Sequence, residues 1–141
     1  MAAEGSPTHM VQWYTETGAA LTATCHAAYN RTKTGLGPDI MEFQSAETDG
    51  VGTMQRYYWL RPETVESYFY MWRVSGERKY RDWAWEAVQA IEKHCKCGTG
   101  YCGLEDVDQP GVFNPIQQSF FLAETLKYLY LIFSGDEVLP L

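Results

Sequence analysis

An arginine, a proline and two carboxylates stand together in the run Leu60-Arg61-Pro62-Glu63-Thr64-Val65-Glu66-Ser67. Pro62 suits the first position of a helix, where its missing N–H costs nothing. Glu63 then falls in the first turn, where unpaired backbone N–H groups and the helix dipole favour a carboxylate. Glu66, three residues on, shares that face, and Arg61 just before it can clamp a carboxylate or an oxygen-rich ligand. An ionised carboxylate held beside an arginine and a second acid is what a general base or an oxygen-coordinated cation site requires. First-turn acids are also a generic helix-start signal, so the spacing by itself favours a structural role over a site.

A second constellation lies near the C-terminus. Phe120 and Glu124 are four residues apart in a helical run, so a ring and a carboxylate point the same way. Glu124 sits in an otherwise apolar stretch, and an unpaired buried carboxylate is costly. It needs a cation, a sugar-like partner, or simply Lys127 or Lys79.

The elements that must position these groups are helical. His9 to about Asn30 reads as a helix, with Val11, Tyr14, Leu21, Cys25 and Ala28 on one side and Gly18 weakening its middle. Residues 1–8 read as a disordered leader. Residues 32–58 form a long loop with a turn at Gly35-Leu36-Gly37-Pro38. Pro62 to about Val74 is a second helix ended near Gly76. Lys79 to Cys95 is a third, with an apolar stripe of Tyr80, Trp83, Ala84, Ala87, Val88 and Ile91. The short link between them predicts an antiparallel helical hairpin. Residues 97–116 read as a loop with room for a short β-hairpin, and Gln117 to Phe133 as a fourth helix. Tyr68, Phe69, Tyr70 and Trp72 read as packing residues, and His9, His26 and His94 as surface or satisfied core groups.

Composition narrows the function. The chain has 141 residues, 45% of them hydrophobic, a net charge of −7 and a pI near 4.9. That suits one domain with a real core and excludes a basic nucleic-acid interface. The longest apolar stretch, near Leu129 to Phe133, is too short to span a bilayer. The start, MAAEGSPTHM, lacks the pattern of a signal peptide. Asn30-Arg31-Thr32 matches an N-glycosylation acceptor, a short and weakly specific pattern. Cys95, Cys97 and Cys102 do not have a common zinc spacing. Cys97 and Cys102 read equally as a disulfide across a tight Gly98–Gly100 turn or as free thiols.

Three runs carry a resemblance: Trp59 to Ser75 (WLRPETVESYFYMWRVS), Lys79 to Cys95 (KYRDWAWEAVQAIEKHC) and Gln117 to Ser134 (QQSFFLAETLKYLYLIFS). They resemble the class I α-1,2-mannosidases, glycoside hydrolase family 47. The Gln117-Gln118-Ser119-Phe120-Phe121 variant is most similar to the Golgi members. The similarity runs from about Tyr14 to Leu141 and corresponds to roughly the C-terminal third of that family's catalytic domain.

The resemblance implies an all-α fold, a partial (α/α)7 barrel: an arc of about four helices with long loops over residues 9–141. It implies a calcium-dependent (Ca2+), inverting glycosidase that removes terminal α-1,2-linked mannose from high-mannose N-glycans, of which this chain is part. By the same resemblance Glu63 matches the general base and Arg61 binds the terminal mannose. Phe120 stacks on that sugar. Glu124 contacts the sugar and calcium-bound waters, and Glu66 lies near the cation. Neither acid is a direct calcium ligand. The family's general acid and its direct calcium ligand have no counterpart in these residues, so the chain alone is expected to be inactive. The alternative is a non-catalytic mannose-binding or decayed fragment. The implied setting is the lumenal side of the Golgi or endoplasmic reticulum membrane, with an anchor that these residues lack. Cys25 is expected to be unpaired, because its family partner lies upstream. Where the family usually has Pro-Glu this chain has Pro38-Asp39, and no role follows for Asp39.

A glycosidase needs two carboxyl groups, about 5–5.5 Å apart for retention and about 6.5–9.5 Å apart for inversion. Glu63 and Glu66, one turn apart, approach the shorter spacing. However, both project from one helix toward one side, so they cannot flank a sugar on opposite faces.

Overall fold

A computed structural model describes residues 7–43 and 51–140. The expected leader lies mostly outside them, but Pro7 and Thr8 are already helical. Pro7 opens α1 (Pro7–Asn30), where its missing N–H is harmless. The helix runs unbroken through Gly18, whose open Cα faces the Met71 sulfur. The stripe expected to pack does so only at its C-terminal end. Ala28 is buried and Cys25 half-buried, whereas Val11, Tyr14 and Leu21 are exposed; Thr22 and Tyr29, outside the stripe, are buried as well. The apolar period was right for a helix, but its widest face has no partner among the described residues.

The long loop is more ordered than its Gly and Thr content implies. It carries an antiparallel hairpin, β1 (Ile40–Phe43) and β2 (Val51–Gln55), with a bulge between Ile40 and Met41. Bulges re-aim the chain next to them, and the neighbour in this case is Asp39.

The second helix, α2 (Glu63–Ser75), begins one residue later than expected, so Pro62 caps it rather than opening it. It ends at Gly76, whose φ of 68° is the left-handed conformation that glycine adopts without strain. The third, α3 (Lys79–His94), follows after a three-residue link and completes the expected hairpin. Its stripe buries Tyr80, Ala84, Ala87 and Ile91, while Trp83 and Val88 pack at the edge of the core.

Two minimal antiparallel ladders follow. They pair β3 (Lys96–Cys97) with β4 (Gly100–Tyr101), and β5 (Gly103–Leu104) with β6 (Phe113–Asn114). Cys97 and Cys102 are disulfide-bonded across the first, which decides between the two readings; Cys25 and Cys95 are free thiols.

The last helical segment is not one regular helix. A π-helical turn, Phe121–Thr125, leads into α4 (Leu126–Phe133), and the Leu126 N–H bonds the Phe121 carbonyl five residues back. Such turns are rare and often mark functional sites.

α2 is the hub, packing on α1, α3 and α4, and α3 also touches α4. The core gathers Val65, Tyr68 and Phe69 of α2, Tyr80, Ala84 and Ile91 of α3, and Leu129 and Ile132 of α4. Each large side chain removed from water stabilises the fold by roughly 1.5–3 kcal/mol. Among the described residues no helix is long and apolar enough to cross a membrane.

Candidate active site

The segment entering α2 is held by an unusual backbone. Tyr58 and Leu104 exchange backbone hydrogen bonds at 2.9 and 2.8 Å. Two residues on, Leu60 is fully buried with φ of 60°, a left-handed conformation rare for a leucine. Such strain costs about 1–3 kcal/mol and persists only where its surroundings impose it. At this position it turns the chain so that Arg61 and Glu63 leave the core.

Both line a cavity of about 480 Å³ together with Tyr29, Gly37, Asp39 and Tyr58. Asp39 is the residue that sequence reasoning missed. Its carboxylate is 7% exposed and accepts a 2.5 Å hydrogen bond from Arg61 Nε. That bond is the main cause holding the guanidinium above its ordinary pKa, and the nearby Glu63 charge adds to it. Glu63 is exposed at the mouth, where a water or a sugar can reach it. Gly37 has no room for a side chain, because a Cβ there would run into the Tyr29 ring. Burial, with the neighbouring Tyr29 adding, raises the Tyr58 phenol well above its ordinary pKa, so it stays a neutral donor at the cavity wall. The Tyr58 hydroxyl makes no well-formed hydrogen bond among the described residues.

The guanidinium of Arg61 lies 5.6 Å from the Trp59 ring centre and 5.9 Å from that of Phe120. Arg61 therefore joins the two constellations: the α2 entry on one side and the residue before the π turn on the other. Phe120 is half-buried, with ring surface left open.

Glu66 and Glu124 lie outside this cavity. Glu66 is turned to α4, where it accepts a hydrogen bond from the Tyr128 hydroxyl and raises that phenol's pKa. Although one turn apart, Glu63 and Glu66 thus serve different neighbours. Glu124 is half-buried and forms no ion pair among the described residues. Neither lysine takes it: Lys79 pairs with Glu77, and Lys127 lies over the Tyr128 ring. Among the described residues no three acids, histidines or cysteines gather to hold a metal ion.

A slightly larger cavity of about 520 Å³ lies between α3 and α4; its walls are mostly apolar, among them Trp85, Val88, Leu129 and Phe133, and its one carboxylate, Glu92, is taken up by Lys96 and the Tyr101 hydroxyl.

The profile of glycosyl hydrolase family 47 matches residues 1–141. The chain belongs to glycosyl hydrolase family 47. It is 51% identical to mannosyl-oligosaccharide 1,2-alpha-mannosidase IA of Sus scrofa, over all of this chain and 22% of that protein. It is 55% identical to the mannosyl-oligosaccharide alpha-1,2-mannosidase IA of Drosophila melanogaster, over 91% of this chain and 20% of that one. Among solved structures, the alpha-1,2-mannosidase from Trichoderma reesei superposes with a TM-score of 0.80 at 35% identity, covering 88% of this chain and 29% of that structure. The chain therefore spans about a fifth of the length of these curated relatives. Its helices form an open arc of the family's (α/α)7 barrel, trimmed with short strands.

Proposed function

We propose that this chain supplies one wall of an α-1,2-mannosidase active site that removes terminal mannose from high-mannose N-glycans. The carrying observation is the Asp39–Arg61–Glu63 cavity with Phe120 beside the arginine. Arg61, fixed by Asp39, presents its remaining N–H groups to sugar hydroxyls. Phe120 offers an open ring face to the sugar's C–H surface. Glu63, solvent-reached and next to a cation, accepts a proton from an attacking water as general base, in an inverting displacement.

The group that protonates the leaving oxygen has no counterpart in this chain. Turnover belongs to a family-length protein of which this sequence forms part, acting in the lumen of the Golgi or endoplasmic reticulum. Calcium enters this reading at a distance. The described residues do not assemble a coordination set, so Glu66 and Glu124 would meet the ion only through its waters, with direct ligands from elsewhere in a family-length protein. A second reading, mannose binding without hydrolysis, is favoured for the isolated chain because the cavity and Phe120 are complete within it.

The test is mannose release from a high-mannose N-glycan, followed by mass spectrometry, using the protein isolated from its source and the 141-residue chain in parallel. Release by the first, abolished by a calcium chelator, supports the proposal. Turnover by the isolated chain would mean that Glu63 and Arg61 do not act in these roles.

A further inference from the structure

Thr125 is a polar side chain with no exposure at all, buried at the end of the π turn. Its hydroxyl donates a 2.6 Å hydrogen bond to the carbonyl of Leu60, 65 residues away in sequence. The two ends of that bond are telling. Leu60 is the strained residue immediately before Arg61, and Thr125 immediately follows Glu124. One bond thus ties the backbone that aims Arg61 and Glu63 to the turn that carries Glu124 and follows Phe120. We propose that Thr125 is a positioning residue for the sugar site: its hydroxyl holds Leu60 in the left-handed conformation and so keeps Arg61 in register with Phe120.

A threonine is otherwise a poor choice for this position. A buried hydroxyl must be paired, and a valine of the same shape would fill the space without that demand. The Leu60 carbonyl is equally buried, and no other described group donates to it. With the bond removed, that carbonyl is left without a partner, and the left-handed Leu60 loses the contact that offsets its strain. Relaxation there would move Arg61 first, because it is the next residue. The π turn contributes by geometry. Its extra residue sets the direction in which Thr125 leaves the helix, so a regular α-turn would aim the hydroxyl elsewhere.

The inference rests on the sugar-site reading, and the test separates the two. The full chain would be compared with Thr125→Val and Thr125→Ser. Amide exchange is followed at Tyr58 and Glu66, whose N–H groups bond Leu104 and Pro62 on either side of Leu60. Gly76, whose N–H bonds Trp72 at the far end of α2, is the remote control. Affinity for α-1,2-mannobiose is measured in parallel. The valine variant should speed exchange at Tyr58 and Glu66 by about tenfold, the effect of losing one buried hydrogen bond. Gly76 should be unchanged, and mannobiose affinity should weaken by a similar factor. The serine variant should keep both near the original values. Uniform acceleration that includes Gly76, or a serine variant as impaired as valine, would overturn the proposal by reducing Thr125 to a packing residue. Unchanged exchange in the valine variant would overturn it outright. If the unaltered chain binds no mannobiose, the sugar reading fails, and the amide comparison still decides whether Thr125 holds the Arg61 segment.

Discussion

Asp39 and Arg61, 22 residues apart in sequence, meet through a 2.5 Å hydrogen bond in which the acid is almost buried and the arginine is not. The acid is the fixed partner and the base the presented one. The bond uses Arg61 Nε, which leaves the outer guanidinium nitrogens for a ligand. Asp39→Asn should therefore affect recognition more than folding. The half-open pair is worth about 1 kcal/mol or less in stability. Mannobiose affinity should fall roughly tenfold, as expected when an orienting contact of about 1.4 kcal/mol is lost. Calorimetric titration alongside a thermal melt checks this. A large loss of stability with unchanged affinity would reverse the assignment.

Glu63→Gln in the family-length protein should leave KM near its original value and lower kcat by about 10²–10⁴-fold, as expected for a lost general base. An unchanged kcat would exclude Glu63 from proton transfer. Because Glu63 is exposed at the cavity mouth, its replacement should spare the folded structure. A stability within about 0.5 kcal/mol of the parent, read by thermal melt, should accompany the loss.

The two free thiols should behave differently. Burial pushes Cys95 up to about 12, whereas Cys25 is half-buried and raised chiefly by burial, with Thr64 partly opposing. At pH 8 a thiol reagent should label Cys25 slowly and Cys95 only after unfolding. The Cys95 pKa is higher folded than the roughly 8.5 of a free cysteine. Its contribution to stability is therefore complete below that value and is lost as pH rises toward about 12. Rapid labelling of both thiols in the native chain would contradict the burial of Cys95.

His26 supplies an acid-sensitive joint between α1 and α3. It stacks on Trp83 at 4.0 Å between ring centres, and Asn30 donates to its Nε2 at 2.8 Å. Burial lowers its pKa. Its unfolded value is about 6.5, so its contribution is complete above that pH and is lost as pH falls through the lower folded value. The urea midpoint should drop between pH 7.5 and 5.5, and His26→Gln should flatten that drop. An identical drop in the variant would assign the effect to other groups.

Much of this was legible in the sequence because it was local. Pro62, Gly76 and the stripe from Tyr80 to Ile91 mark the ends and the buried face of the α2–α3 hairpin, which need only short-range rules. Glu63 and Arg61 stood out because a helix start concentrates chemistry. The rest depends on contacts far apart in sequence. Nothing in a Pro-Asp pair announces that the acid will meet an arginine 22 residues on. Leucine does not signal a left-handed backbone, so Leu60 could be found only in the fold. The apolar pattern of the last helix suits an ordinary α-helix equally well, which hid the π turn. The exposed stripe of α1 misled for the opposite reason: periodicity reports that a face is apolar, not that something covers it.

The π turn has a consequence for chain length. Between Phe121 and Thr125 the helix holds one residue more than a regular turn needs. Substitutions there change one side chain at a time, whereas a deletion would let the helix heal. The wider turn takes up that extra residue, so the helix on either side keeps nearly the phase it would have in a regular helix one residue shorter. Closing the turn would leave Phe120 and the packed half, Leu129 to Ile132, close to their present directions, and would re-aim the residues inside it, Glu124 and Thr125. The wall of the site is therefore tuned by a residue count as well as by residue identities, and a single-codon loss in this short stretch would redirect the Thr125 hydroxyl away from Leu60 while leaving the core of the protein whole.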